Sequence, residues 1–361
     1  MPHYKLMIVP KKMFSLRTTL IIIAALCAGN AATHANEATF RADLAAKVKA
    51  ADKNYDSVVT GRDGWLFFAP EVRSVSVGRF WGADAKKVSR AVRPENADPL
   101  PAILDFKAQL DKAGVKLLLV PVPPKSIVYA DKISSRAVPM RRLDSAHQEF
   151  YRLLRSRGVS VLDLTGEYLN TRQSGAVFCK QDTHWSSRGV GLAASAISRQ
   201  IGSLPGKKNH YVTRTKPLTI KGDLWDALPS NVKKPARETL NATFIGAPDL
   251  KDKNNLIPVP NSRNSPVLLL GDSHTLVFHE GGDMHTKGAG LADQLAYRFG
   301  QPIDLLGVRG SGATPARVSL MRRIKENPSY LKNKKWIIWC FSASEFTESA
   351  GWQKIALGVG R

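Results

Sequence analysis

The stretch Pro266-Val267-Leu268-Leu269-Leu270-Gly271-Asp272-Ser273-His274 decides how the chain is read. An apolar run of strand length stops at Gly-Asp-Ser. A glycine turn bearing a hydroxyl at that point puts the hydroxyl at the rim of a sheet, where open α/β folds bind their ligands. Ser273 is therefore a candidate nucleophile. The competing reading is a helix cap, a position that both Asp and Ser favour.

The same rhythm extends to either side. Residues 36–52 form an amphipathic lead-in, and Gly61-Arg62-Asp63-Gly64-Trp65-Leu66-Phe67-Phe68 is a turn feeding an aromatic strand. Apolar spacing predicts helices over 100–113, 143–155, 187–201, 291–299 and 315–324. Strands are expected at 116–122, 159–164, from Val267, at 303–308 and at 335–341. Five apolar strands separated by helices imply an α/β fold, a three-layer α/β/α sandwich around a mostly parallel five-stranded sheet. The segment 202–265 interrupts the alternation with many lysines, arginines and prolines. It reads as a basic inserted loop region, either a glycan-binding flap or a solvated surface.

Composition narrows the function. The 361 residues carry a net charge of +23, and residues 1–35 have the pattern of a secretory signal: Lys5, Lys11, Lys12 and Arg17, then an apolar run, then Thr33-His34-Ala35. Either Met1 or Met13 can serve as the start. Removing that segment leaves 49 basic against 30 acidic residues, or +19, on a single domain spanning 36–361. Export excludes nucleic acid as partner and favours an anionic polysaccharide or an acidic membrane surface. A periplasmic protein is expected, the alternative being an uncleaved inner-membrane anchor. Cys179 and Cys340 could pair in that compartment or remain as buried thiols.

A serine hydroxyl needs a base, and the usual one is a histidine held by a carboxylate. In Gln181-Asp182-Thr183-His184-Trp185 the carboxylate and imidazole are two residues apart, so an extended segment turns both to one side. Each has a structural alternative: Asp182 as a cap, in competition with Ser186 or Ser187, and His184 as a buried imidazole beside Trp185. Two loops with complementary groups at the ends of strands of one sheet favour a Ser273/His184/Asp182 triad. His279-Glu280-Gly281-Gly282-Asp283-Met284-His285 lacks the i, i+4 histidine spacing of a helical zinc site and reads as a mobile loop near the serine, so neither metal nor cofactor is expected.

Gly271-Asp272-Ser273 after an apolar strand, with Asp182-Thr183-His184-Trp185 upstream, resembles the SGNH/GDSL hydrolase-like domain of the alginate O-acetyltransferase group, the AlgX/AlgJ family. The base pair precedes the serine, the circularly permuted order of that group. Gly61 to Phe67, Val120 to Lys125 with Tyr129, Gly222-Asp223-Leu224 and Lys335 to Trp339 extend the likeness. In outline the chain is closer to the single-domain, AlgJ-like form. The resemblance implies a flavodoxin-like SGNH fold and a periplasmic acyltransferase that acetylates hydroxyls of an alginate-like exopolysaccharide. It also implies Ser273 as nucleophile, His184 as acid/base, Asp182 as its orienting carboxylate, and a membrane-bound O-acyltransferase as acetyl donor partner. Gly310 and Gly312 are candidates for the oxyanion site, and Arg317, Tyr129 and Lys125 for oxyanion or substrate contacts, a helix-surface position being the other reading of Arg317. A polysaccharide acetylesterase with the same triad and a non-catalytic glycan-binding component of an export complex are the alternative functions.

Overall fold

The five apolar runs become the parallel strands of one sheet in the computed structural model, which describes residues 36–54, 56–137, 141–252 and 255–358. The signal-like segment lies outside them. In chain order, β1 (Val58–Thr60) and β2 (Leu66–Phe68) make an antiparallel hairpin, followed by β3 (Lys116–Val122) and β4 (Ser160–Val161). Next come β5 (Val212–Thr219), β6 (Thr239–Pro248) and β7 (Leu256–Pro258), then β8 (Val267–Gly271), β9 (Asp304–Gly307) and β10 (Trp336–Ser342). The central sheet has the order β4-β3-β10-β8-β9, every pair parallel. Counted from the serine-bearing β8 round to β4, this is the flavodoxin-like order 2-1-3-4-5, so the permutation seen in the motif order is also a permutation of the sheet.

Alternation along the strands builds the three layers. Leu117, Leu119, Leu268, Leu270, Ile337 and Trp339 face Phe106, Phe150 and Leu320 from helices on one side. Leu118, Val120, Val267, Leu269, Ile338 and Cys340 face Phe40, Val190 and Leu295 on the other. Each such fully buried side chain contributes about 1.5–3 kcal/mol. β4 is shorter than the expected 159–164. It is an edge strand paired only with β3, and Asp163 accepts the Thr165 N–H at 3.0 Å, turning the chain into the Thr165–Thr171 helix.

The 202–265 segment is a correction to the expected loop, because β5, β6 and β7 form a three-stranded antiparallel sheet. Threonines facing across β5 and β6 pair their hydroxyls, Thr215 with Thr243 and Thr219 with Thr239. The sheet is tied to the domain by Thr243, whose N–H donates to Ser187 Oγ at 2.9 Å and whose carbonyl accepts from Gln294 Nε2 at 3.1 Å. Charge masked this half-buried β pattern. Cys179 and Cys340 are both free and buried, so the pairing alternative does not hold.

Candidate active site

Ser273 begins a short 3-10 turn, Ser273–Thr275, directly after β8. Asp272 caps that turn: its Oδ1 accepts the His274 N–H at 2.9 Å, while its Oδ2 accepts the N–H of Ser342, at the end of the adjacent β10, at 2.6 Å. The cap and the candidate nucleophile are thus different residues of one turn. Asp272 satisfies the backbone, and the Ser273 hydroxyl is left for a partner elsewhere. That partner is His184, whose Nε2 lies 2.8 Å from Ser273 Oγ.

His184 sits in a loop closed by a bridge between Phe178 and Trp185. Asp182 repeats the geometry of Asp272, its Oδ1 accepting the N–H of His184 at 2.9 Å and the ring Nδ1–H at 2.7 Å. The following Ser187–Ile201 helix is capped by Ser186, which accepts the Gly189 N–H and so releases Asp182 from that role. An ionised carboxylate only accepts, so His184 Nδ1 carries the proton toward Asp182 and Nε2 is placed to accept the serine O–H.

The second oxygen of Asp182 is also held. Oδ2 accepts the backbone N–H of Asp223 at 2.9 Å and the Nε2–H of His285 at 3.0 Å. Asp223 can come this close because it follows a glycine: a Cβ on Gly222 would lie 2.0 Å from the Gln181 carbonyl oxygen. Asp223 in turn accepts the Thr183 N–H at 2.8 Å. The basic insertion therefore delivers a residue to the site.

Electrostatics follow from this packing. Burial pushes Asp182 up, but the charge and hydrogen bonds of His184, joined by His285, hold it well below the ordinary carboxylate value. For His184 burial favours the neutral form, yet Asp182 outweighs it and raises the imidazole to about 9. Burial, then the Asp182 charge, raises Asp223, which is packed into the rim while still reached by solvent. One donor atom each from Asp182, His184 and Asp223 lies within 4.8 Å of the others, so a divalent ion would compete here with the hydrogen-bonded relay. A cleft of about 530 Å³ opens beside the two histidines, lined by Lys221, Asp223, Asp226 and Met284 among others.

The remaining candidates divide. Gly312 packs against the nucleophile turn, a Cβ there falling 2.9 Å from the Asp272 nitrogen and 2.5 Å from Phe341 Cβ. Gly310 is exposed with φ 87° and lines a separate cavity with Ser344 and Glu345. Three expected contacts are corrected. Lys125 is buried and donates to the carbonyls of Lys180 and Asp182 at 3.0 and 2.9 Å, so it props the Asp182 loop from inside. Tyr129 is stacked on Trp65 and its hydroxyl accepts the Val177 N–H at 2.9 Å. Arg317 is neither surface nor site: it has 0% exposure and lies against Trp339 and Trp352, with Nη2 on Thr314 Oγ1. Packing around the aromatic residues of these stretches draws all three inward.

Asp223 and His285 were not assigned roles from sequence. Gly222-Asp223 was visible only as part of a resemblance, and His285 was weighed only as a metal ligand. The expected mobile loop around it is closed by backbone hydrogen bonds from Phe278 to Met284 and from Ala289 to Phe278, both 2.8 Å.

Residues 58–343 match the family described as SGNH hydrolase-like domain, acetyltransferase AlgX. The chain is 31% identical over 176 residues to the probable alginate O-acetylase AlgJ of Pseudomonas aeruginosa, covering 48% of this chain and 41% of that protein. It is 28% identical over 224 residues to the protein of the same name from Pseudomonas syringae pv. tomato, covering 61% and 52%. The chain thus spans about half the length of the curated relatives it matches. Its fold is similar to the O-acetyltransferase domain of Pseudomonas putida AlgJ, with TM-score 0.59, 22% identity, and 81% and 92% of the two chains covered. Pseudomonas aeruginosa AlgX is also similar in fold, with TM-score 0.56, 17% identity, and 80% and 62% covered. With four-fifths of its length inside the family match and the same fold around Gly-Asp-Ser, the chain belongs to the SGNH hydrolase-like domain family of acetyltransferase AlgX.

Proposed function

We propose that this protein is an O-acetyltransferase that carries an acetyl group on Ser273 and passes it to a hydroxyl of an exported, acidic polysaccharide of the alginate type. The observation that carries this reading is the run Ser273 Oγ, His184 Nε2, His184 Nδ1, Asp182 Oδ1, with steps of 2.8 and 2.7 Å across its two hydrogen bonds. Relatives named as alginate O-acetylases support the substrate class.

In the reaction, Ser273 Oγ gives its proton to His184 Nε2 and attacks the carbonyl carbon of an acetyl ester donor. The tetrahedral oxyanion collapses, the donor's C–O bond breaks, and the leaving oxygen takes the proton from His184. An acceptor hydroxyl then loses its proton to His184 and attacks the acetyl-serine, and Ser273 regains the proton as its bond to the acetyl group breaks. Asp182 stays ionised throughout, stabilising the imidazolium and fixing its tautomer. The backbone N–H groups of the Ser273 turn, with Gly312 packed against it, are the candidates to face the oxyanion.

The proposal includes a periplasmic location, from the signal-like pattern of residues 1–35, and a membrane-bound O-acyltransferase as source of acetyl groups. No helix among the described residues is long and apolar enough to cross a membrane. A groove of about 860 Å³ between the domain and the inserted sheet, lined by Lys180, Arg188, Thr215 and Thr243 among others, suits a hydroxyl-rich polymer; Lys180 and Gln181 in its wall immediately precede Asp182 in sequence.

The test is incubation of purified protein with 4-nitrophenyl acetate and oligouronates, with acetylated sugar and free acetate read by mass. Acetylated oligosaccharide that disappears in Ser273→Ala is the expected result. Acetate release without sugar acetylation would assign the triad to an esterase, and turnover that survives both Ser273→Ala and His184→Ala would refute it.

A further inference from the structure

The backbone at His285 is in the left-handed region, with φ 72° and ψ −59°. The Thr286 N–H donates to the Met284 carbonyl at 3.0 Å across it. These are the dihedrals and the i to i+2 hydrogen bond of a γ-turn with positive φ, a rare conformation that costs about 1–3 kcal/mol for a residue carrying a Cβ. A glycine would adopt it without that cost, yet the position holds a histidine.

Its side chain explains what the turn accomplishes. The imidazole is only 4% exposed and its Nε2 lies 3.0 Å from Asp182 Oδ2, the carboxylate oxygen turned away from His184. Phe278 packs on the ring at 5.4 Å between centroids. The loop that carries the turn is fastened from outside, Arg309 forming ion pairs with both Glu280 and Asp283. Asp182 consequently accepts four hydrogen bonds, two on each oxygen: from the N–H and Nδ1–H of His184, and from the N–H of Asp223 and Nε2–H of His285. The Nδ1–H belongs to the ring being oriented and cannot fix the carboxylate plane, and the His184 main-chain N–H holds only Oδ1. The other two come from separate segments, and His285 supplies the side-chain donor among them.

We propose that His285 is a positioning residue for acyl transfer: its strained turn drives an imidazole N–H donor onto Asp182 Oδ2, locking the carboxylate plane and through it the line from His184 to Ser273. This rests on the proposed triad. Losing the donor lets Asp182 rotate and His184 drift, and misplacements of about 1 Å near a reacting centre cost on the order of 100-fold in rate.

Two substitutions separate this role from a merely structural one. His285→Gly removes the donor and relieves the turn. His285→Gln keeps an N–H donor at comparable reach and keeps the strain. The readouts are sulfonylation of Ser273 by phenylmethylsulfonyl fluoride, in which Oγ displaces fluoride at sulfur, followed by intact mass, kcat and KM for 4-nitrophenyl acetate, and the thermal midpoint. Ser273→Ala and His184→Ala come first: if either retains labelling and hydrolysis, the triad itself fails and His285 has nothing to position. With both inactive, the expectation is that His285→Gly slows sulfonylation and kcat about 10- to 100-fold with KM unchanged and the thermal midpoint no lower than wild type. His285→Gln should stay within about threefold of wild type. Sulfonylation of His285→Gly at the wild-type rate, or a folded His285→Gln slowed as much as His285→Gly, overturns the proposal.

Discussion

Trp185 Nε1 donates to the His274 carbonyl at 3.1 Å, so the residue after the candidate base is bonded to the residue after the candidate nucleophile. The two contact residues are 89 apart in the chain, and this contact holds their loops in register. Replacing Trp185, which is fully buried, by Phe leaves a buried carbonyl without its donor and removes part of a ring system. The expected cost is about 1–3 kcal/mol in urea unfolding. Hydrolysis of 4-nitrophenyl acetate should fall as well, because the Ser273 to His184 distance is no longer clamped. Unchanged kinetics in a destabilised Trp185→Phe protein would show that register is set elsewhere.

The pH dependence of rate and of stability should run in opposite directions. His184 is raised from 6.5 to about 9 by Asp182 against the effect of burial. A raised folded-state value means that the pair's stabilisation is complete below pH 6.5 and is lost as pH climbs to about 9. Only the neutral imidazole accepts the serine proton, so kcat/KM should rise over the same interval and level off above it. Asp182, held well below 3.8, contributes stability that is present above that pH and lost as the pH falls. A rate profile already flat from pH 6 to 9 would contradict this.

Glu345 offers an independent test of the loop beside the Ser273 turn. Burial raises it to about 8, although Ser311 Oγ donates to its Oε2 at 2.6 Å. For an acid with a raised folded-state value, stability declines as pH rises from 4.5 to about 8. Glu345→Gln keeps an acceptor for Ser311 and cannot ionise. Its thermal midpoint should match wild type near pH 5 and exceed it at pH 8.5, and parallel curves would refute the assignment.

Arg317 should be dispensable for chemistry. Burial lowers its guanidinium to about 10, and Nη1 has no partner among the described residues. Replacing a buried charge of this kind by an apolar side chain of similar volume is often neutral or stabilising by about 1–4 kcal/mol. Arg317→Met should therefore keep kcat and KM and unfold at an equal or higher temperature. A selective loss of kcat would return Arg317 to the site.

Much of this architecture was legible because it rests on local periodicity. The runs at Val267, Lys116 and Trp336 are apolar on both faces, the mark of strands covered from both sides, and all three are central strands of the parallel sheet. Asp182 and His184 were legible for a similar reason: two residues apart, their side chains meet through local geometry that any chain with that spacing can adopt. The motif order even anticipated the permuted sheet.

What the sequence by itself determined was the sandwich, the strand that carries Ser273, and the residues able to serve as base and orienting carboxylate. Only the tertiary structure decided which oxygen of Asp182 is free and what occupies it. Asp223 arrives from the connection between β5 and β6, strands that their charges disguised, and His285 from a loop 103 residues downstream of Asp182 that looked like a failed metal motif. Lys125, Tyr129 and Arg317 went the other way, from expected contacts into the interior. Spacing along the chain reports neighbours within a turn or strand. Contacts between distant segments depend on how helices and sheets pack, and the strained turn at His285 exists only because that packing holds it.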